Sequence, residues 1–430
     1  FSIIILIVYS ATTQKTIPNN IVIPKSPNSK NIPTRIVPEE AKPILKVSPE
    51  IKLPSREFTL IELYKVIPTL YIDPKDSEYD GISLIAETLK SDLNRVIGEK
   101  VEDEEKAVES ENGLKIITDK SEISGKVIIA GTYGENGNEV INELIENGKI
   151  DVTDLQDKWE CYLMQVVRSP MSGVEEALII VGTNKRGTIY GLLHISEIIG
   201  ISPWVWWADV LPDVQEKVVL PGEQCNLISK EPSIKYRGIF LNDEAPSLTT
   251  WTKNRYGGRN EYFYRQVFVL LLRLKANYLW PSMWDDIFSE DGKDDKNANA
   301  KLADQYGIVM GTSHHEPLYR AGKEWSYYYK NDLEYTSAQA WNKYNMPGEE
   351  GYNEKVNQEI EEFWEKGVER NKEYDNICTV GMRGEEDSSL PAADDPPKYA
   401  ELLNYIINTQ KKILSNQKDT SPTQLVIYKE

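Results

Sequence analysis

Between Lys235 and Glu316 the chain alternates short apolar runs with bursts of polar and aromatic residues. Tyr236-Arg237-Gly238-Ile239-Phe240-Leu241 leads into Asn242-Asp243-Glu244. Asn277 to Trp284 leads into Asp285-Asp286, and Ile308 to Thr312 leads into Ser313-His314-His315-Glu316. Runs this short predict strands. Between the first two, Phe263, Val267, Leu270, Leu271 and Leu274 recur at three- and four-residue steps, which predicts a helix over 261–274 with one apolar face. A shorter helix is expected over Ala298–Tyr306. Further helices over Glu354–Glu373 and Lys398–Leu414 alternate with strands over 377–384 and 424–430. Strand and helix in alternation imply parallel strands joined by right-handed crossovers, with functional groups at the carboxyl ends of the strands. Four such units and a fifth strand make an incomplete (β/α)8 TIM-type barrel over 231–430. The long connection Pro317–Tyr352, rich in Trp, Tyr and charge, is expected to wall a binding site.

Upstream the pattern is that of a separate α/β domain, expected over 58–230. Ile82, Ile85, Leu89, Leu93, Val96 and Ile97 share one helix face, and a second helix is expected over Glu139–Glu146. Strands are expected at Leu114–Thr118, Lys126–Ala130, Cys161–Arg168 and Ala177–Val181. A helix carrying His194 then leads into the tryptophan-rich exit Trp204 to Asp209; a histidine so placed reads as a packing residue. Gly131, Gly134 and Gly137 sit between a strand and a helix, but their spacing matches no phosphate-binding loop and reads as a plain turn. Residues 12–57 hold eight prolines and read as an extended linker. The apolar run within residues 1–11, closed by Ser10-Ala11, reads as the remnant of a secretory signal, hence a secreted protein with no stable membrane insertion.

Length fits two domains with their own cores, since the chain has 430 residues. A net charge of −19 excludes a general nucleic-acid binder, which needs a basic footprint. Three cysteines (Cys161, Cys225, Cys378) without C-x-x-C spacing indicate neither a disulfide scaffold nor a zinc site. His314 and His315, as strand neighbours, should face opposite sides, and the chain has only three histidines, so no catalytic metal is expected.

All five expected barrel strands end in acidic or imidazole groups: Asp243, Asp285 or Asp286, His314 to Glu316, Asp387 and Glu430. Residues from one repeated structural position converge only if the strands form a barrel, and there they make a site. Trp280, Trp284 and Trp251 lie near these ends; tryptophan is most often core, but its face beside carboxylates also suits a sugar ring. Carboxylates and aromatics without a Ser or Cys nucleophile motif point to cleavage of glycosidic bonds.

These residues carry a family resemblance. Tyr236 to Glu244, Leu272 to Trp284, Gly307 to Pro317, Gly381-Met382-Arg383-Gly384 and Tyr428-Lys429-Glu430 resemble glycoside hydrolase family 115, the xylan α-1,2-glucuronidases. Arg186 to Asp209 resembles the domain that precedes the barrel in that family. The resemblance implies hydrolysis, with inversion, of glucuronic or 4-O-methylglucuronic acid side chains from glucuronoxylan or derived oligosaccharides, without cofactor or metal, by a protein often a homodimer. On that footing Glu430 is the expected general acid, with Asp387 and Asp243 as candidates to activate or orient water. Asn242, Trp280, Trp284, Asp285, His314, His315, Glu316 and Arg383 are expected to bind substrate, Arg383 through its planar fork on the uronate carboxylate. The chain is expected to end inside the catalytic barrel. Two other readings compete: a non-catalytic carbohydrate-binding or scaffold protein, and a nucleotide-dependent enzyme built on Gly131 to Gly137.

Overall fold

The structure, a computed structural model, describes residues 51–52, 55–66, 69–99, 101, 110–242, 245–282, 286–329, 338–384 and 388–426. The signal-like residues 1–11 and most of the proline-rich stretch lie outside these. Among the described residues no helix is long and apolar enough to cross a membrane.

The first part of the chain runs β1 (Ile51–Lys52), β2 (Phe58–Glu62), β3 (Thr69–Ile72), α1 (Tyr79–Val96), β4 (Lys115–Ile117), β5 (Gly125–Thr132) and α2 (Glu139–Glu146). It continues with β6 (Tyr162–Arg168), β7 (Val174–Gly182), α3 (Lys185–Ile198), β8 (Lys217–Leu220), α4 (Gly222–Cys225) and β9 (Leu227–Ile228). Seven of these strands form one sheet in the order β1-β9-β6-β7-β5-β3-β4, parallel from β4 to β7 and antiparallel beyond. Strands β2 and β8 pair separately as an antiparallel ribbon. Both faces of the large sheet are covered, so its strands are continuously apolar rather than alternating. Leu70, Ile72, Ile128, Ala130, Leu178 and Ile180 join the core under α1 and α3. Their neighbours Tyr71, Val127, Ile129, Ile179 and Val181 face Val140, Ile141 and Leu144 of α2.

The turn between β5 and α2 is filled by the protein's own groups. Asp76 accepts from the Thr132 backbone N–H at 2.7 Å and its hydroxyl at 2.9 Å, and Asp73 accepts from Glu139 N–H at 2.8 Å. A Cβ on Gly131 would lie 2.6 Å from Cβ of Asn138 and 2.8 Å from Oδ2 of Asp76. Two carboxylates occupy the place where a phosphate would sit, and the plain turn is what forms.

The second part comprises β10 (Gly238–Phe240), α5 (Ser247–Tyr256), α6 (Glu261–Arg273), β11 (Tyr278–Trp280), α7 (Ala298–Tyr306) and β12 (Val309–Met310). Then follow α8 (Gly322–Tyr329), α9 (Ala338–Trp341), α10 (Glu354–Asn371), β13 (Cys378–Val380), α11 (Pro396–Asn416) and β14 (Thr423–Leu425). Strand β10 pairs with β11, β11 with β12 and β13 with β14, all parallel, and a parallel bridge from Met310 to Asn376 links the two groups. Five parallel strands in sequence order, separated by helices, make an arc of the kind expected for an incomplete barrel. Gly238 is fixed by this arrangement, because a Cβ there would come within 1.7 Å of the Tyr278 carbonyl oxygen.

The two parts share one core. Leu89, Leu93, Leu192 and Leu193 pack in the same cluster as Phe263, Phe268, Leu272 and Ile308. Helix α6 therefore differs from the one-faced helix expected. Tyr264, Gln266, Phe268 and Val269 are buried along with Phe263, Val267 and Leu271, whereas Leu274 is exposed. The cause is a neighbour far away in sequence: α1 and α3 cover its outer side, and Arg273 makes two 2.8 Å bonds to buried Asp92 of α1. Below the arc, buried Glu160 receives Arg186 at 2.5 Å, Arg237 at 2.5 Å and Asn277 at 2.7 Å. His194 is a packing residue, bonded through Nδ1 to the Tyr162 hydroxyl at 2.6 Å; burial lowers its pKa to about 3.

Candidate functional site

The carboxyl ends of the arc strands gather on one side of the molecule. Asn242 follows β10 and is exposed. After β11 come buried Ser282, whose hydroxyl oxygen has no hydrogen-bond partner among the described residues, and buried Asp286, ion-paired with Arg259. Trp280 lies within β11 itself; it is buried against Phe240, and its Nε1 donates to the Tyr278 hydroxyl at 2.7 Å. The side chain belongs to the interior of the arc. Asp243, Trp284, Asp285, Asp387 and Glu430 lie outside the described residues.

The histidines correct one expectation. Strand β12 ends at Met310, so His314 and His315 sit on a turn beyond it and do not alternate across a strand. Their ring centroids are 4.1 Å apart. Among the described residues no group of three or more His, Cys, Asp or Glu could hold a metal ion. The turn is held to the neighbouring strand by Thr312, whose hydroxyl donates to the Glu316 carbonyl at 2.8 Å, while the Thr379 hydroxyl donates to the Thr312 carbonyl at 2.7 Å. Beyond it Leu318 and Tyr319 take φ of 52° and 63°. Such left-handed non-glycine residues cost about 1–3 kcal/mol each, and packing must hold them. Leu318 is fully buried, and the Tyr319 hydroxyl donates to Asp419 at 3.0 Å.

A cavity of about 490 Å³ opens at the ends of β13 and β14. His314 and Arg383 supply its cationic or titratable lining, Val380, Met382 and Leu425 its apolar floor, and Tyr399 of α11 a side wall. The volume suits a sugar ring with substituents. A guanidinium at the rim of an apolar pocket in an acidic protein can orient an anion, and the neighbouring imidazole can donate or accept a proton. The long connection before α10 reaches this loop: Trp341 Nε1 donates to the Arg383 carbonyl at 2.9 Å, and the Asn342 amide donates to the Ser388 hydroxyl at 2.8 Å. Glu316 turns the other way, buried beneath the histidine turn. Burial, then the charge of Glu324, raises its pKa well above the ordinary carboxylate range.

Sequence reasoning did not single out the residues that reach this cavity or its loop without holding a strand-end position. Trp341 and Asn342 come from the wall connection, and Tyr399 from a helix; only the length and aromatic content of 317–352 hinted at the first two.

Comparison with known proteins places this geometry. Residues 229–430 match the model of glycosyl hydrolase family 115. No curated protein matches the sequence. Among solved structures, a family GH115 4-O-methyl-alpha-glucuronidase, BtGH115A, with specificity for decorated arabinogalactans, superimposes with TM-score 0.63 at 26% identity. The alignment covers 85% of this chain, which spans 42% of the length of that protein. A GH138 enzyme targeting pectin rhamnogalacturonan II aligns at TM-score 0.42 and 11% identity over 84% of this chain and 35% of its own, too distant a likeness to bear on function. The segment that holds the parallel arc and its strand-end cavity is thus similar to glycosyl hydrolase family 115, and the architecture around it to that of a solved family 115 enzyme.

Proposed function

We propose that the chain carries the glucuronate-recognition part of a glycoside hydrolase that removes glucuronic or 4-O-methylglucuronic acid side chains from a plant polysaccharide, xylan or decorated arabinogalactan, with inversion. The observation that supports this most is the strand-end cavity of about 490 Å³, which offers Arg383 for the uronate carboxylate and His314 beside it within the family 115 segment. Inversion needs two carboxyl groups roughly 6.5–9.5 Å apart, with water between base and sugar. Glu430 is the proposed acid, with Asp387 and Asp243 for the water. Asn242 and His315 flank the same side, and Trp284 and Asp285 complete the proposed sugar contacts. Secretion and a homodimeric assembly belong to the same proposal.

The test is incubation with glucuronoxylan and with glucuronate-decorated arabinogalactan, reading released uronic acid and its first-formed anomer by NMR. Release of the β-anomer is expected from at least one. Arg383→Lys should raise KM about tenfold, the loss of one charge-assisted contact, with little change in folding. Failure to release uronic acid from either polymer would sink the catalytic reading, and binding without release would favour a carbohydrate-binding role.

A further inference from the structure

Beneath the histidine turn lies a set of buried and half-buried charges, with Asp375 at its exposed edge, in which Glu316 is the odd member. It is 3% exposed. Asp286 and Glu290 approach from the loop after β11, Asp304 from α7, Tyr319 and Arg320 from the turn that follows, Glu324 from α8, Arg370 from α10, and Tyr374 and Asp375 ahead of β13; His314 and His315 precede it on its own turn. The cations are already engaged. Arg320 bonds Glu324 at 2.7 Å, and Arg370 bridges Glu324 at 2.8 Å and Glu290 at 2.5 Å. Asp286 pairs with Arg259, and Asp375 with Arg186 at 3.1 Å. Two guanidiniums thus balance Glu324 and Glu290, and Glu316 is a third carboxyl with no ion pair among the described residues.

An ionised carboxylate buried without a cation is costly enough that the group keeps its proton instead. Its own Oε2 and the Nε of Arg370 are both without a hydrogen-bond partner among the described residues. Both residues line a partly enclosed pocket of about 30 Å³, with Ser289, Asn371 and Thr312 among its other walls. The lining is mostly apolar, but a pocket of this size has room for a water, and the polar atoms of Glu316 and Arg370 on its wall offer that water partners.

We propose that Glu316 is a positioning residue for the strand-end site: held as a neutral acid, it fastens the His314–His315 turn to the Glu324–Arg370 cluster through a water bound in the pocket that Glu316 and Arg370 share. The Glu316 O–H then has an acceptor and the Arg370 Nε–H has one too. Loss of the proton sets a second negative charge against Glu324 and releases the turn. The inference goes beyond the proposed hydrolysis, since it concerns what holds the histidines.

The sign of the pH effect follows. A carboxyl whose folded pKa is raised keeps its proton where the unfolded chain, near pH 4.3, has lost it. Its stabilising contribution is full below the unfolded value and declines as pH rises toward the folded one, by up to tenfold in the folding constant per pH unit. Urea unfolding of the chain and of Glu316→Gln, compared from mildly acid to alkaline pH, should show similar stabilities at the acid end and a growing advantage for the glutamine variant above it. Parallel curves would overturn the neutral state. The wild type alone should show the infrared carbonyl stretch of a buried protonated carboxyl at neutral pH, and its absence would also overturn it. For positioning, NMR titration of the histidine rings is practicable with three histidines in the chain. His314 and His315 should show an alkaline inflection that Glu316→Gln abolishes; identical titrations in both proteins would rule positioning out. No measurement uses substrate, so failure of the proposed hydrolysis leaves each outcome decisive.

Discussion

The two sheets treat the polar residues at their strand ends in opposite ways. In the amino-terminal sheet, Asp73, Asp76 and Asn138 stand where β3 and β5 stop, and each is consumed by nearby backbone: Asp76 on Thr132, Asp73 on Glu139, Asn138 on Val140 and Ile141. In the parallel arc the comparable positions carry exposed Asn242, Ser282 with a hydroxyl oxygen that has no partner among the described residues, and a histidine turn propped by strained residues. One set closes its crevice, whereas at the arc Asn242 stands exposed at its strand end. Polar residues at strand ends thus indicate a site only where the local backbone has not already used them.

The comparison can be broken hardest where the two sheets meet. Glu160→Ala leaves Arg186 and Arg237 without their shared buried carboxylate and should cost about 3–5 kcal/mol, read as a lowered urea midpoint. A change below about 1 kcal/mol would mean that solvent replaces the carboxylate and that the junction is loose. Next, Asp76→Ala removes acceptors from a buried backbone N–H and a hydroxyl and should cost about 1–3 kcal/mol. Asn242→Ala, at a strand end of the arc, should move stability by no more than about 0.5 kcal/mol. Equal losses at both positions would erase the contrast.

The smallest effect is confined to acid pH. His194 has a folded pKa near 3, chiefly from burial, against about 6.5 when unfolded. The unfolded chain binds more protons between these values, so stability present above the unfolded pKa is lost as pH falls toward the folded one. His194→Gln should flatten that acid slope by one proton, whatever it does at neutral pH through the lost Tyr162 contact. An unchanged slope would place protonation elsewhere in the amino-terminal core.

Legibility followed locality. Helices α2 and α7 were readable to their end residues because their signals are local: Asn138 caps the first, and Gly307, with φ of 69°, stops the second. The arc strands were readable through their apolar runs, although each is only two or three residues long and the polar bursts start earlier than the run suggests. Helix α5 was not foreseen. Its apolar residues define no face, and Thr252 is its one buried residue. The facing of His314 and His315 failed because sequence does not say where a strand yields to a turn. Trp280 carries no mark in the sequence of its burial against Phe240 or of its bond to the Tyr278 hydroxyl. The long-range bonds of Arg273 to Asp92 and of Arg237 to Glu160 were invisible for a simpler reason: the partners are 181 and 77 residues apart.

Helix α6, clad on every side, separates two kinds of boundary. The match to the family 115 model begins at residue 229, yet the helix that follows buries Phe263, Phe268 and Leu272 among leucines and isoleucines contributed from before that point. A chain cut there would expose a continuous apolar stripe and strand the Arg273 guanidinium. The edge of the sequence match is therefore not an edge of the core, and the arc and the amino-terminal sheet are expected to melt as one cooperative event rather than two.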